Sequence, residues 1–529
     1  MRRFNRALSR ARIEYVLIFV AVFAVGAYLQ YMPSIGDPDG FYHAKMALFL
    51  RQGRVLTAMP WMYFTTLRDS FVDHHFLYHA LLVPFVSWGK PLLGVKLATA
   101  TLLASFFTLF YATLKRWRMN TPLIATALLL FCNAFLFRLS LVKANSVSLI
   151  VFLLILIALF ERRVYMLALL NALYVLLYGG WLLGWVAAGA YALCAVMQLG
   201  REPALFWKHR FSHHTHPPSV WAMVAATLAG SAIGLVVNPY WPGNLSFYLQ
   251  QVWQIAIVHG SPVAAGGEWT SFTAYELIQN FSWVAVFAAI GFLLLFLNLK
   301  KMHRRTWTLA LLAVLFVFFT LKSRRYIELS APTLALFAAS AWSDVFPSRM
   351  FSHIWHSWQT ASAWIKQQLL IAVGVIVVGV LVMPQIGLWA HVKQAHDELA
   401  NGIPLTRYAS VSKWLSEHTP ADSIIVQSDW DDWPMLFYFN THNRYIVGLD
   451  PTFMYNADPA LYDAWASLTG EGRADTLVAL VTQKLASRYV LVEKDHTALQ
   501  HLLASNIYFR LIYEDDEAWV YQFLSAEAT

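Results

Sequence analysis

Between residues 13 and 389 the chain alternates apolar runs with short polar stretches, and only beyond residue 390 does the pattern shorten. A helix crossing a bilayer needs roughly 20 apolar residues, about 17 at least. On that length scale the runs predict spans at Ile13–Met32, Leu97–Leu114, Pro122–Leu136, Val147–Phe160, Val164–Tyr178 and Trp181–Leu199. Five more follow at Val220–Val237, Trp283–Leu299, Trp307–Leu321, Ile327–Trp342 and Leu369–Trp389. The expected fold is therefore a polytopic α-helical membrane protein of about eleven spans, with long outer loops at about 33–96 and 238–282.

The last 139 residues read differently. β-rich runs (Ile424–Val426, Tyr445–Val447, Tyr489–Val492, Phe509–Tyr513, Trp519–Phe523) alternate with helical patterns at Ser410–Glu417 and Thr476–Leu485. That alternation predicts a small α/β domain over 391–529, following a membrane domain over 1–390.

Composition agrees: 58% of residues are hydrophobic and 13% charged, half the charge of an ordinary soluble protein. The net charge of +9 is split unevenly. Residues 1–390 carry 30 Lys and Arg against 11 Asp and Glu, and residues 391–529 carry 9 against 19. Basic residues in such a chain report topology before they report nucleic acid, and no nucleic-acid partner is expected. Arg2, Arg3, Arg6, Arg10 and Arg12 precede the first span, and alternate short loops are basic, whereas 238–283 has no Lys or Arg. The N-terminus is thus expected in the cytoplasm and the C-terminal domain on the periplasmic or extracellular face of the cytoplasmic (inner) membrane. Cys132 and Cys194 lie in apolar runs and form no metal or disulfide pattern. His209, His213, His214 and His216 have no nearby carboxylate, which argues against a metal site in that cytoplasmic loop.

Charges that topology does not explain carry the chemistry. The first outer loop holds Asp37 and Asp39 in Gly36-Asp37-Pro38-Asp39-Gly40-Phe41-Tyr42-His43, then Asp73, His74 and His75. Such a set can hold a divalent cation (Mn or Mg) or act as general base. Its bland alternative is a solvated loop with Asp-Pro and Asp-Gly turns. The second long outer loop adds Glu268 and Glu276. Arg138, Lys143, Lys322, Arg324 and Arg325 stand on the outer side, where Lys and Arg are normally depleted. Planar guanidinium forks and ammonium charges suit a lipid phosphate; the alternative is snorkelling to headgroups. In the tail, Asp429, Asp431 and Asp432 lie around Trp430 and Trp433 directly after a predicted strand.

Taken in order, these motifs resemble the catalytic subunit of oligosaccharyltransferases, among the GT-C membrane glycosyltransferases. Asp39-Gly40-Phe41-Tyr42-His43-Ala44 is similar to that family's first acidic motif, and Arg138 to its second-loop arginine. Arg325-Tyr326-Ile327-Glu328-Leu329-Ser330-Ala331-Pro332 resembles its late Arg motif, and Trp430-Asp431 the WD of its WWDYG element. The second-loop acidic pair would fall at Asn145 and Val147 and is absent, and the WWDYG pattern is incomplete.

The resemblance implies sugar or oligosaccharide transfer from a polyprenyl-(pyro)phosphate donor to a protein, lipid or polysaccharide acceptor at the outer membrane face. It implies Asp39 and Asp37 as catalytic carboxylates, and Asp39, Asp73, His74, His75 and Glu276 as metal ligands. Arg138, Lys143, Arg324 and Arg325 would bind donor phosphate, and Trp430, Asp431, Asp432 and Trp433 the acceptor. Two alternatives stay open: a GT-C monosaccharide transferase using a polyprenyl-monophosphate sugar, and a non-catalytic membrane partner or transporter.

Overall fold

The computed structural model describes residues 2–130, 132–202, 218–251, 263, 266–346, 362, 364, 367–368, 371, 388–472 and 477–524. The histidine-rich stretch 209–216 and most of the predicted span 369–389 lie outside the described residues. Two compact units are present. The first comprises 1–32, 97–237 and 267–401; the second comprises 33–96, 238–266 and 402–529.

The first unit is helical, and the first ten predicted spans each coincide with helix. Among the described residues, two helices, Pro91–Arg116 and Arg304–Lys322, are long and apolar enough to cross a membrane. A third span results if Pro122–Leu130 and Asn133–Ser140, bent by 76°, count as one. The remaining apolar helices, such as Val164–Leu177 and Val220–Val236, are shorter. Small residues let these helices approach closely, as lipid-facing bundles require. A Cβ on Gly230 would meet the Ala168 carbonyl oxygen at 2.1 Å, and one on Gly234 the Ala172 oxygen at 2.6 Å. Helix Ile327–Val345 packs between Ala274–Leu297 and Arg304–Lys322.

The second unit is built from three separate stretches. Strands β1 (Ser34–Ile35) and β2 (Ile403–Pro404) pair antiparallel. A five-stranded sheet runs β4 (Arg444–Tyr445), β3 (Ile424–Gln427), β5 (Tyr489–Glu493), β7 (Ala518–Phe523) and β6 (Phe509–Glu514). Strands β4, β3 and β5 are parallel; β7 and β6 are antiparallel additions. Residues 424–427 and 489–492 are almost wholly buried, as parallel strands covered on both faces must be. The 33–96 stretch joins this sheet: Tyr63 N–H donates to the Tyr445 carbonyl at 2.8 Å and Phe64 N–H to that of Ile446 at 3.1 Å. The α/β tail is thus present, and the 33–96 loop folds with it.

Candidate functional site

In the second unit, Asp37-Pro38-Asp39-Gly40 opens a helix, Asp39–Arg51. The Asp37 carboxylate accepts the Asp39 N–H at 3.0 Å, and Asp39 sits in the first turn, where negative charge suits the helix dipole. Phe41, Tyr42, His43, Ala44, Met46, Ala47 and Phe49 are all buried. Such all-round burial removes the apolar stripe by which a surface helix is recognised, so the turn reading was the natural one from sequence.

The next helix, Phe76–Val86, begins at His75, whose N–H is accepted by Asp73 Oδ1 at 3.0 Å. The other Asp73 oxygen lies 2.7 Å from His79 Nδ1, and His79 Nε2 lies 2.7 Å from His43 Nδ1. All three side chains are at most 2% exposed. His43 lies one helical turn beyond Asp39. The His74 and His75 rings lie tilted against each other with centres 4.0 Å apart. Desolvation pushes the His74 imidazole down to about 4 against the pull of Asp73 and Asp39, so it is neutral at physiological pH. His79 and its contact with His43 were missed from sequence; the Asp73–His79 and His75–His79 spacings were the available signal.

Glu276 belongs to the first unit and caps a helix. Its Oε2 accepts the Thr273 N–H at 2.8 Å and hydroxyl at 3.0 Å, while Thr273 Oγ1 accepts the Glu276 N–H. Thr-x-x-Glu is a capping box, legible in the sequence. Among the described residues, the group that brings three potential ligand atoms within 4.8 Å of one another is Glu493, Asp495 and His496. Asp39, Asp73, His74, His75 and Glu276 make no such group.

The first unit gathers cations singled out in the sequence. Arg138, on Asn133–Ser140, is 6% exposed. Its Nη1 donates to Glu268 Oε2 at 2.5 Å, and its Nε and Nη2 to Glu328 at 3.4 and 3.2 Å. Lys143 Nζ is 3.6 Å and Arg325 Nη1 3.5 Å from Glu268, and Arg325 lies over the Trp269 ring at 4.2 Å. Burial alone would raise the Glu268 carboxyl, but Lys143, Arg325 and Arg138 outweigh it and hold the group well below the usual range. Arg324 turns elsewhere, toward Glu276 at 3.6 Å and the Ser271 carbonyl at 3.2 Å. Asn145, at the position of the absent acid, donates to the Arg138 carbonyl at 3.5 Å.

The Trp430–Trp433 turn follows β3. Asp432 and Trp433 are buried, Trp430 and Asp431 half-buried. Trp433 Nε1 donates to the Trp61 carbonyl at 2.8 Å, and its ring stacks on Phe437.

The archaeal oligosaccharyltransferase AglB from Archaeoglobus fulgidus, solved with an inhibitory peptide and a dolichol-phosphate, is similar at TM-score 0.62 and 14% identity. The match covers 97% of this chain and 75% of that one. Another structure of the A. fulgidus oligosaccharyltransferase is a complex with Zn and sulfate. ArnT from Cupriavidus metallidurans bound to undecaprenyl phosphate matches at TM-score 0.54 and 15% identity, over 98% and 99% of the two chains. The mycobacterial arabinofuranosyltransferase AftD matches at TM-score 0.56 and 13% identity, over 98% of this chain and 40% of its own. The fold is that of the GT-C glycosyltransferases. No family model and no curated protein matches the chain by sequence. Within the GT-C fold, Arg138, Lys143 and Arg325 converge on one carboxylate, whereas the carboxylate–imidazole chain Asp73–His79–His43 belongs to the other unit.

Proposed function

We propose that this GT-C protein is an integral-membrane glycosyltransferase that takes a sugar or oligosaccharide from a polyprenyl-(pyro)phosphate donor at the outer membrane face. The observation that carries the reading is the convergence of Arg138, Lys143 and Arg325 on Glu268. Three cations meet two carboxylates there, since Arg138 also pairs with Glu328, and the surplus positive charge suits the anionic end of a lipid phosphate. The dolichol-phosphate and undecaprenyl phosphate in two of the similar structures support the donor class.

In the transfer, the bond between the sugar's anomeric carbon and the phosphate oxygen breaks, and the electron pair leaves on phosphate. Arg138, Lys143 and Arg325 neutralise that charge. The acceptor's nucleophile bonds to the anomeric carbon, and its proton passes to a carboxylate. Asp39 is assigned that role, with Asp37 holding its helix start. Among the described residues, Asp39, Asp73, His74, His75 and Glu276 form no cluster of three ligand atoms within 4.8 Å of one another. That dispersal, with Asn145 and Val147 in place of acids, favours as second reading a monosaccharide transferase using a polyprenyl-monophosphate sugar.

The test is mass spectrometry of the lipid that co-purifies with the full chain, followed by binding of undecaprenyl phosphate. An isoprenoid phosphate bound more weakly by Arg138→Gln supports the reading. Ordinary phospholipid alone, with no isoprenoid phosphate binding, removes it.

A further inference from the structure

The C-terminal sheet carries a second constellation, Glu493, Asp495 and His496, to which the transferase reading gives no role. Strands β3 and β5 are parallel neighbours, with Gln427 opposite Leu491. After β3 the chain continues to β4 on one side, while β5 lies on the other side of β3. The carboxyl ends of β3 and β5 therefore form a topological switch point, the place where open α/β sheets bind ligands. Two acidic turns leave those strand ends: Asp429, Asp431 and Asp432 after β3, and Glu493 and Asp495 with His496 at the end of β5. The turns are tied together, because the Glu493 N–H donates to Ser428 Oγ at 2.9 Å.

His496 Nδ1 lies 2.7 Å from Asp495 Oδ1 and 3.8 Å from Glu493 Oε2. An imidazole nitrogen aimed at two carboxylate oxygens holds either a proton or a metal there. An independent feature is Asp432, 2% exposed. Its Oδ1 accepts the Tyr408 hydroxyl at 2.7 Å, but among the described residues its buried Oδ2 has no hydrogen-bond partner. Asp432 adjoins Glu493, since Arg407 donates to both the Tyr408 hydroxyl and Glu493. The Glu493, Asp431 and Asp429 charges all bear on it. A buried carboxylate oxygen without a donor is costly, and more like charge around it adds to the cost. Cations nearby are few: Arg407 is engaged as described, and Lys494 turns to Glu514 at 2.8 Å and the Trp519 ring.

We propose that Glu493, Asp495 and His496 bind a divalent transition-metal cation, whose charge also offsets the orphaned Asp432. Two carboxylates and one imidazole suit Mn²⁺ and Zn²⁺ better than Ca²⁺. The ion takes the place of the proton on His496 Nδ1, and that proton goes to solvent. This site is separate from the donor-phosphate cluster and stands whether or not the protein transfers sugar.

The experiment is a Mn²⁺ titration of the purified full chain followed by the electron paramagnetic resonance of unbound Mn²⁺, with Zn²⁺ as competitor. Alongside it, thermal melting is measured with and without Mn²⁺. Expected is a Mn²⁺ displaced by Zn²⁺, bound at least tenfold more weakly by both His496→Ala and Asp495→Asn, together with a melting shift that both variants lose. Both substitutions sit on a surface turn, so circular dichroism should show an unchanged fold. Asp39→Asn serves as control and should keep the Mn²⁺ affinity. Absence of Mn²⁺ and Zn²⁺ binding, or undiminished affinity in His496→Ala/Asp495→Asn, overturns the proposal, as does loss of the ion in Asp39→Asn alone.

Discussion

His43 Nδ1 lies 2.7 Å from His79 Nε2, deep in the second unit, with Asp73 on the far nitrogen of His79. One proton must sit between the two imidazoles. Since Asp73 takes the Nδ1 proton of His79, the neutral pair has His43 donating its Nδ1–H. That tautomer leaves the lone pair of His43 on Nε2. Asp73, read from sequence as a metal ligand, has both oxygens hydrogen-bonded here, to His79 and to the His75 N–H.

His79→Ala should therefore destabilise the protein by about 1–3 kcal/mol, because a buried carboxylate loses its partner. His79→Gln, which can still donate, should recover part of the loss. Thermal unfolding in detergent checks both; equal melting of wild type and His79→Ala would mean that the chain of hydrogen bonds contributes nothing.

Asp39→Asn should reduce transfer at least 10²-fold, on the scale of lost general-base catalysis. Its stability cost should be small, about 0.3–1 kcal/mol from the first helical turn. Turnover close to wild type would remove Asp39 from the proposed chemistry.

Arg325→Lys should weaken polyprenyl-phosphate binding about tenfold, since the bidentate fork and the stacking on Trp269 are lost while the charge stays. Glu328 is three residues away, but the recorded pair of Arg325 is Glu268, and Glu328 faces Arg138. Glu328→Gln should accordingly disturb Arg138 more than Arg325. Unchanged lipid affinity in Arg325→Lys would exclude a phosphate clamp.

Glu268→Gln should tighten phosphate binding by about 1 kcal/mol, roughly fivefold, because the carboxylate competes for the same three cations. The pH dependence has a definite sign. A carboxyl held below its ordinary value of 4.5 contributes stability that is fully present above that pH and is lost as the pH falls through its folded value. Wild type should lose more melting temperature than Glu268→Gln between pH 6 and acid; parallel curves would contradict the charge cluster.

Gly448→Ala should cost about 1–3 kcal/mol, since its Cβ would meet the Trp433 ring at 2.3 Å and the ring is held by Phe437 and the Trp61 carbonyl. Loss of the buried tryptophan environment in fluorescence would accompany it.

The linear pattern of the chain determined where helices run and that strands and helices alternate beyond residue 390, because apolar run length and β-rich alternation are local properties. It also singled out Arg138, Lys143 and Arg325 as cations at the ends of apolar runs, since position along the chain is a one-dimensional property. Their meeting on Glu268 was decided by the fold: the four residues come from three distant stretches, and charge attraction acts through space. The same holds for His79, unremarkable beside Asp73 until two helices face each other. That residues 33–96 fold with the tail was likewise invisible, because it rests on backbone bonds from Tyr63 and Phe64 to the sheet edge. Backbone groups are alike in every residue, so no sequence pattern announces which partner they will take.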